Sequence, residues 1–304
     1  MAAVYPVAAG TASFSGTYTP EIWSGKTLVK FYKTTVFGDI CNTEYEGEIK
    51  KQGDTVHIRT IPDITISDHA INDEIDYETP EPTKVTLYID KGKRWAFAID
   101  DIQAIQSDIQ YVDKWTEDAG EQLGITIDAA ILADIYADAH ASNAGATAGA
   151  DTSSINLGAA AAAVALDPTN ILDWIVDIGT VLDEQSVPDS QRFIVLPPLF
   201  CNMIKKSDLK DASLSGDGTS MLRNGIVGMI DTMVIHKSRN VYASSGEHNV
   251  IAGHPKATTF ASQLVKNETL KNPKSFGDLI RGLQVYGYEV IKPEALVHSV
   301  VEKA

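Results

Sequence analysis

The longest periodic stretch of the chain runs from residue 100 to about residue 140. Its apolar residues, Ile102, Ile105, Ile109, Val112, Trp115, Ala119, Leu123, Ile127, Ile131 and Ile135, recur every three or four positions, which predicts one buried face of a long helix. Asp100 followed by Gln103 supplies a capping box at its start. At 1.5 Å per residue such a helix spans roughly 60 Å, about twice the diameter of a small domain, and needs something long to lie against. Gly120 and Gly124, one turn apart, either admit another backbone at close range or mark a bend; two shorter core helices broken there are the alternative.

Two runs ahead of this helix alternate with a period of two, residues 54–61 and residues 84–99. Val56, Ile58 and Thr60 alternate with His57 and Arg59 in the first, and Val85, Leu87, Ile89, Trp95, Phe97 and Ile99 keep the same period in the second. They read as the legs of a hairpin. Between them lies an acidic excursion with Asp63, Asp68, Asp73, Glu74, Asp76, Glu78 and Glu81, and with Pro80 and Pro82 near its end. A link of roughly 20 residues is uncommon inside a compact domain, and a two-stranded ribbon is marginal alone in water. The hairpin is therefore expected to rest on a neighbour.

Residues 1 to about 20, rich in Thr, Ser and Gly, read as an extended arm. The run PEIWSGKTLVKFYKTTVF that follows carries Ile22, Trp23, Leu28, Val29, Phe31 and Tyr32, more apolar surface than a free tail exposes. It is expected to dock, on its own subunit or the next; an ordinary first helix of a globular core is the alternative. Beyond the long helix, HASNAGATAGADTSSINLGAAAAAVAL looks like a boundary. A helix over 170–186, an apolar strand over 192–196, a short helix over 199–206, a loop SLSGDGTS and strands over 226–236 and 250–252 follow, with 241–248 as a turn-rich link. Apolar strand-like runs at 283–291 and 295–301 close the chain. The pattern is α+β.

At 304 residues the chain can bury a sizeable core. No apolar run approaches the roughly 20 residues that cross a membrane, and MAAVYPVAAG lacks the basic and apolar parts of a secretory signal, so synthesis in the cytoplasm is the expectation. Cys41 and Cys201 have no metal-ligand spacing and read as small core residues or free thiols. The net charge of −16 weighs against gripping phosphates. Gly25-Lys26-Thr27 resembles the end of a phosphate loop, but Pro20 stands where its first glycine belongs. Gly216-Asp217-Gly218-Thr219 lacks a partner lysine, and the spacing of His248 and His254 fits no helical metal pair. There is no GxSxG elbow, so an enzyme has no residue to rest on, and no cofactor is implied.

PEIWSGKTLVKFYKTTVF, EIKKQGDTVHIRTIP, FAIDDIQAIQSDI, GMIDTMVIHKSRNV and FGDLIRGLQVYGYEVIKPEAL together resemble the major capsid proteins of tailed double-stranded DNA bacteriophages, which have the Hong Kong 97 fold. The resemblance covers nearly the whole chain. It implies an N-terminal arm over 1–44, an extended β-hairpin loop over 45–98 that lies on the next subunit, a peripheral domain with a spine helix over 99–140 and 276–304, and an axial domain over 141–275. On that reading the spine helix packs mainly on residues 283–301.

The resemblance further implies self-assembly into hexamers and pentamers of an icosahedral or prolate head shell, with a portal protein and with packaged DNA held by proximity and not by sequence-specific binding. No membrane is involved. No long charged leader precedes the arm, so a separate scaffolding protein is expected, and a decoration protein is compatible. The acidic tip, with Asp73, Glu74 and Asp76, calls for basic counterparts on the neighbour: Lys26, Lys30 and Lys33 of the arm, beside Trp23, or Lys91, Lys93 and Arg94 of a hairpin leg. Some relatives join subunits by a Lys-to-Asn isopeptide bond; Lys91 and Lys93 lie in the corresponding region, but no motif marks one. An encapsulin-type nanocompartment shell protein and a soluble α/β enzyme are the alternatives.

Overall fold

The computed structural model of the chain describes residues 33, 35–44, 55–62, 64–69, 77–82, 84–100, 111–207, 228–273 and 276–304. In chain order its elements are α1 (Phe37–Ile40), β1 (Thr55–Arg59), β2 (Lys84–Tyr88), β3 (Lys91–Asp100), α2 (Tyr111–Leu132), β4 (Val164–Leu166), α3 (Ile171–Glu184), β5 (Arg192–Leu196), α4 (Pro198–Lys206), β6 (Met229–Ile230), β7 (Met233–Lys237), β8 (Ala243–Ser244), β9 (Glu247–Gly253), β10 (Thr258–Lys271), β11 (Gly277–Val290) and β12 (Leu296–Lys303).

The apolar run RFIVL becomes β5, buried along its whole length, inside a seven-stranded sheet of order β4-β12-β9-β5-β7-β6 with β8 hydrogen-bonded to β9. A strand covered on both faces has to be apolar throughout, and its alternate residues serve two cores. Ile194 and Leu196 meet Trp174, Ile175 and Ile178 of α3 and Phe200 of α4. Phe193 and Val195 meet Ile127 and Ile131 of α2. Each such side chain contributes roughly 1.5–3 kcal/mol by leaving water.

The second sheet is three-stranded, in the order β10-β11-β3 and antiparallel throughout. Side chains alternate between its faces. Tyr286, Tyr288 and Val290 of β11 and Phe260 of β10 turn towards Ile127, Ile131 and Ile135, and the Tyr288 hydroxyl donates to Asp134 Oδ2 at 2.7 Å. The helix therefore lies partly on residues from 283–301, as the resemblance implies, and partly on Phe193, Val195 and Ile251 of the larger sheet.

The long helix differs from the sequence expectation at its C-terminal end, and its course through the two glycines decides between the alternatives. The α-helix ends at Leu132, and residues 135–138 form a 3-10 turn. Asp134 and Asp138 at this end oppose the helix dipole, and Asp134 bonds Tyr288 instead. The helix runs unbroken through Gly120 and Gly124, where an added Cβ would meet nothing at the first and Thr35 Cγ2 at 3.9 Å at the second. The part that includes Ile102, Ile105, Ile109 and Gln103 lies outside the described residues.

Residues 276–304 divide between the sheets. β11 joins β3 and β10, whereas β12 lies between β4 and β9 in the seven-stranded sheet. The 3-10 turn Pro293–Ala295 separates them, and the LVHSVV run after it has the apolar content of an interior strand. The Gly/Ala/Ser-rich stretch is packed against its neighbours. Asn143 donates to the carbonyls of Glu294 and Leu296 and accepts from Gln185 Nε2, all within 3.0 Å. Gly158, at φ +77, lies where a Cβ would come 2.2 Å from the Val300 carbonyl.

Candidate inter-subunit surface

The two alternating legs pair as predicted, β1 antiparallel to β2 with Ile58 opposite Val85. The second leg is not one strand. It bends at Ile89 and Asp90, and β3 continues into the three-stranded sheet. At the bend the chain crosses β11 over Gly287, where a Cβ would lie 2.0 Å from the Tyr88 carbonyl, so only glycine fits there. Ile58, Leu87 and Ile89 are buried against Ala261, with Val285 beside them. The hairpin thus rests its root on its own sheet, on the face away from α2, and needs no neighbour for that part.

Its outer part is different. Ile61 and Ile66 are each 94% exposed, Tyr77 is 90% exposed and Ile64 is 67% exposed. The Thr65 amide donates to Glu78 Oε1 at 2.7 Å and ties the two limbs of the excursion together. Asp68, Glu78 and Glu81 are exposed beside them. An apolar and acidic prominence of this kind is the signature of a contact surface. Charge alone singles out the acidic residues and passes over the isoleucines, although ITIS inside a Pro- and Asp-rich loop is the signal that could have found them.

The basic residues expected as its counterparts are spread. Lys33 is exposed. Lys91 is engaged within its own chain: its Nζ lies 3.8 Å from Asp134 Oδ2, 3.9 Å from Asp90 Oδ1 and 4.2 Å from the centre of the Tyr288 ring. Lys93 shares the α2 face of the sheet with Trp95 and Phe97, whose rings stack at 5.5 Å, and Trp115 meets Phe97 edge-on at 5.5 Å. Arg94 points to the opposite, open face, with Lys266 and Arg281. Trp23, Lys26, Lys30, Asp73, Glu74 and Asp76 lie outside the described residues.

The profile of a family described as phage capsid protein matches residues 84–299, which is most of the chain. The chain belongs to the phage capsid protein family. Solved structures agree along nearly the whole length. A chain from Mycobacterium phage Che8 is 28% identical with a TM-score of 0.79, covering 94% of this chain and 98% of that one. The capsid of cyanophage P-SCSP1u is 17% identical with a TM-score of 0.74 and full coverage of both chains. The mature capsid of bacteriophage PhiM1 is 15% identical with a TM-score of 0.72, covering 94% and 92%. No curated protein matches. The function is that of a major capsid protein of a phage head, and the match favours this over a nanocompartment shell or an enzyme.

For a capsid protein the electrostatics at the hairpin junction matter. Asp138 and Glu289 are held above the usual carboxylate range, first by burial and then by neighbouring carboxylates, Asp134 and Asp138 respectively. Burial pushes the Cys41 thiol up to about 12, and the Cys201 thiol is raised for the same reason, so both buried cysteines are unreactive thiols. Among the described residues no helix is long and apolar enough to cross a membrane.

Proposed function

We propose that this capsid protein assembles as hexamers and pentamers into the icosahedral or prolate head of a tailed phage around double-stranded DNA. In this reading assembly takes place in the host cytoplasm on a separate scaffolding protein, with a portal protein at one vertex and a decoration protein where the shell carries one. DNA is contained without sequence-specific binding. An acidic wall suits this, because packaged DNA does not adhere to a surface of its own sign. The protein does no catalysis. Residues 1–44 serve as the arm, 45–98 as the loop that crosses to the next subunit, 99–140 and 276–304 as the peripheral domain, whose last strand β12 runs on into the seven-stranded sheet, and 141–275 as the axial domain.

The observation that carries this reading is the outer hairpin, where Ile61, Ile64, Ile66 and Tyr77 stand exposed among acidic residues. A monomer has no reason to hold such a prominence on a root as well packed as Leu87 and Ile89. Electron microscopy of the expressed chain, alone and with a co-expressed scaffold, tests it. Closed shells or capsomers are expected, and compact monomers under all conditions would overturn it. Reversal of Asp73, Glu74 and Asp76 to Lys is expected to weaken assembly and alter its salt dependence.

A further inference from the structure

β10 is an outer strand of the three-stranded sheet, and its far edge carries a pattern of its own. Successive residues of a strand turn their backbone groups alternately to its two sides. At the start of β10 the Phe260 amide donates to the Asn42 carbonyl and the Thr258 carbonyl accepts from the Asn42 amide, both at 2.8 Å, so Thr258 and Phe260 face outward. The register with β11 shifts by one residue between Ser262 and Leu264, which reverses the alternation. Beyond the shift Val265, Asn267 and Thr269 direct their amides and carbonyls outward, while residues 266, 268 and 270 turn theirs to β11. Among the described residues only Asn42 pairs with this outer edge, opposite Thr259, so no described strand lies beside residues 265–269.

An open edge invites a strand from another chain, and charges that repel a second copy are the usual protection. The charges here do the reverse. Lys266 and Glu268 stand on the open face of the sheet, beside Leu283 and Arg281 of β11, with the exposed Asn267 between them on the other face. Lys266 pairs with Glu268, and Arg281 Nε donates to Glu268 Oε2 at 2.9 Å. Hydrogen bonds from these two cations hold the Glu268 carboxyl below its usual range. Laid antiparallel on a second copy about Asn267, the strand brings Lys266 opposite the partner's Glu268, and Glu268 opposite the partner's Lys266. Centred on Lys266 or on Glu268 it would set like charges together, and centred on Val265 or on Thr269 it would form neither pair.

We propose that β10 pairs antiparallel with β10 of a second copy of the chain about a two-fold axis at Asn267, which joins the two three-stranded sheets into one. Backbone and side chains select this register independently. Asn267 is one of the outward-facing residues, so it exchanges both backbone hydrogen bonds with its equivalent, and Val265 does the same with the partner's Thr269. Lys266 and Glu268 then fall at the non-hydrogen-bonded positions, where facing side chains lie closest. Across the junction the open face reads Arg281, Glu268 and then the partner's Lys266, with alternating sign. A two-fold contact has to be self-complementary, and this strand is. Main-chain hydrogen bonds supply affinity and the opposed charges fix the register. The inference rests on the capsid reading and adds to it a symmetric contact, separate from that of residues 45–98.

Asn267→Cys tests the contact with a single variant, because residue 267 meets its own equivalent. The Cα atoms of a hydrogen-bonded pair lie about 5.5 Å apart, within reach of a disulfide. Thr269→Cys is the control: its equivalent lies four residues further along the partner strand, about 14 Å away. Oxidised particles of Asn267→Cys are expected to give a covalent dimer on a denaturing gel, and those of Thr269→Cys and of the wild type, whose Cys41 and Cys201 are buried, are not. Assembled Asn267→Cys particles without the dimer would overturn the contact and leave the capsid reading standing, as would an equal yield of dimer from Thr269→Cys. Failure of every chain to form particles, wild type included, would overturn the capsid reading and this contact with it. Should Asn267→Cys alone fail to assemble, Thr269→Pro decides. Its ring removes an amide that points outward, which an edge strand tolerates. The subunit is expected to unfold at the wild-type denaturant concentration, while the protein concentration needed for assembly rises about tenfold. Assembly at the wild-type concentration would overturn the contact. A subunit that unfolds much earlier would show that the Thr269 amide faces β11, and would overturn the register.

Discussion

Asn240 donates from Nδ2 to Asp128 Oδ2 at 2.6 Å, and both residues are buried. The other carboxylate oxygen of Asp128 accepts from the amides of Val36 and Phe37 at 2.9 Å each. One helix residue thereby holds the first turn of α1 and the loop that follows β7 against α2. Asp128→Ala strands three donors, and a loss of about 3 kcal/mol is expected in chemical unfolding of the subunit. Asp128→Asn should lose less. The Asn240 Oδ1 has no partner among the described residues, so a rotated Asn240 amide can accept from the side-chain amide that this substitution introduces.

Gly287 is the second fixed point, because the Tyr88 carbonyl crosses 2.0 Å from where its Cβ would lie. Gly287→Ala must push the chain off the sheet at the bend and separate Leu87 and Ile89 from Ala261. An expected cost of about 2–3 kcal/mol falls on the hairpin root first. Limited proteolysis between residues 59 and 84 should accelerate before the subunit melts. Equal acceleration of cleavage throughout the chain would show that the root is not a separate unit.

The parts of this fold legible in the sequence are those where one periodicity meets one environment. RFIVL reads as a strand buried on both faces because each of its residues is buried, and the 3.6-residue spacing of Ile171, Trp174, Ile175, Ile178 and Leu182 reads as α3 because all five enter one core. β10 is invisible at that level. Its outer half, KNETLK, sits at an edge strand with an open face, so no apolar alternation marks it. The candidate surface is half legible for the same reason: acidic residues in a long loop stand out, whereas Arg94, Lys266 and Arg281 become neighbours only through the register of β3, β10 and β11.

The stripe along α2 predicts a single buried face, but burial along it is graded. Ile127, Ile131 and Ile135 are enclosed, Leu123 is half-buried and Trp115 is 44% exposed. Ile131→Asp puts an unpaired charge between the two sheets and is expected to leave no soluble folded subunit. Leu123→Asp lies where the helix passes β3 and should fold with a loss of about 1–2 kcal/mol. Circular dichroism of the purified variants separates the two outcomes; equal effects would mean that the helix is embedded evenly along its length.

Acid should weaken the subunit through its buried histidines. Burial holds His298 at about 4, below its ordinary 6.5, and its ring stacks near Tyr136 at 4.8 Å with Nε2 2.8 Å from Asn249 Oδ1. The folded state resists protonation while the unfolded chain accepts a proton below 6.5, so the unfolded state binds more protons in that window. Stability is then intact above about pH 6.5, falls as pH drops towards 4, and loses no more from this group below that. The total reaches roughly 3 kcal/mol for His298. His248 and His254 are lowered by burial as well and act in the same direction. His298→Gln keeps a polar group opposite Asn249 without a titrating ring, so its unfolding free energy, measured between about pH 7 and about pH 4.5, should fall less steeply than that of the wild type. Parallel slopes would show that His298 is protonated in the folded subunit as readily as in the unfolded one.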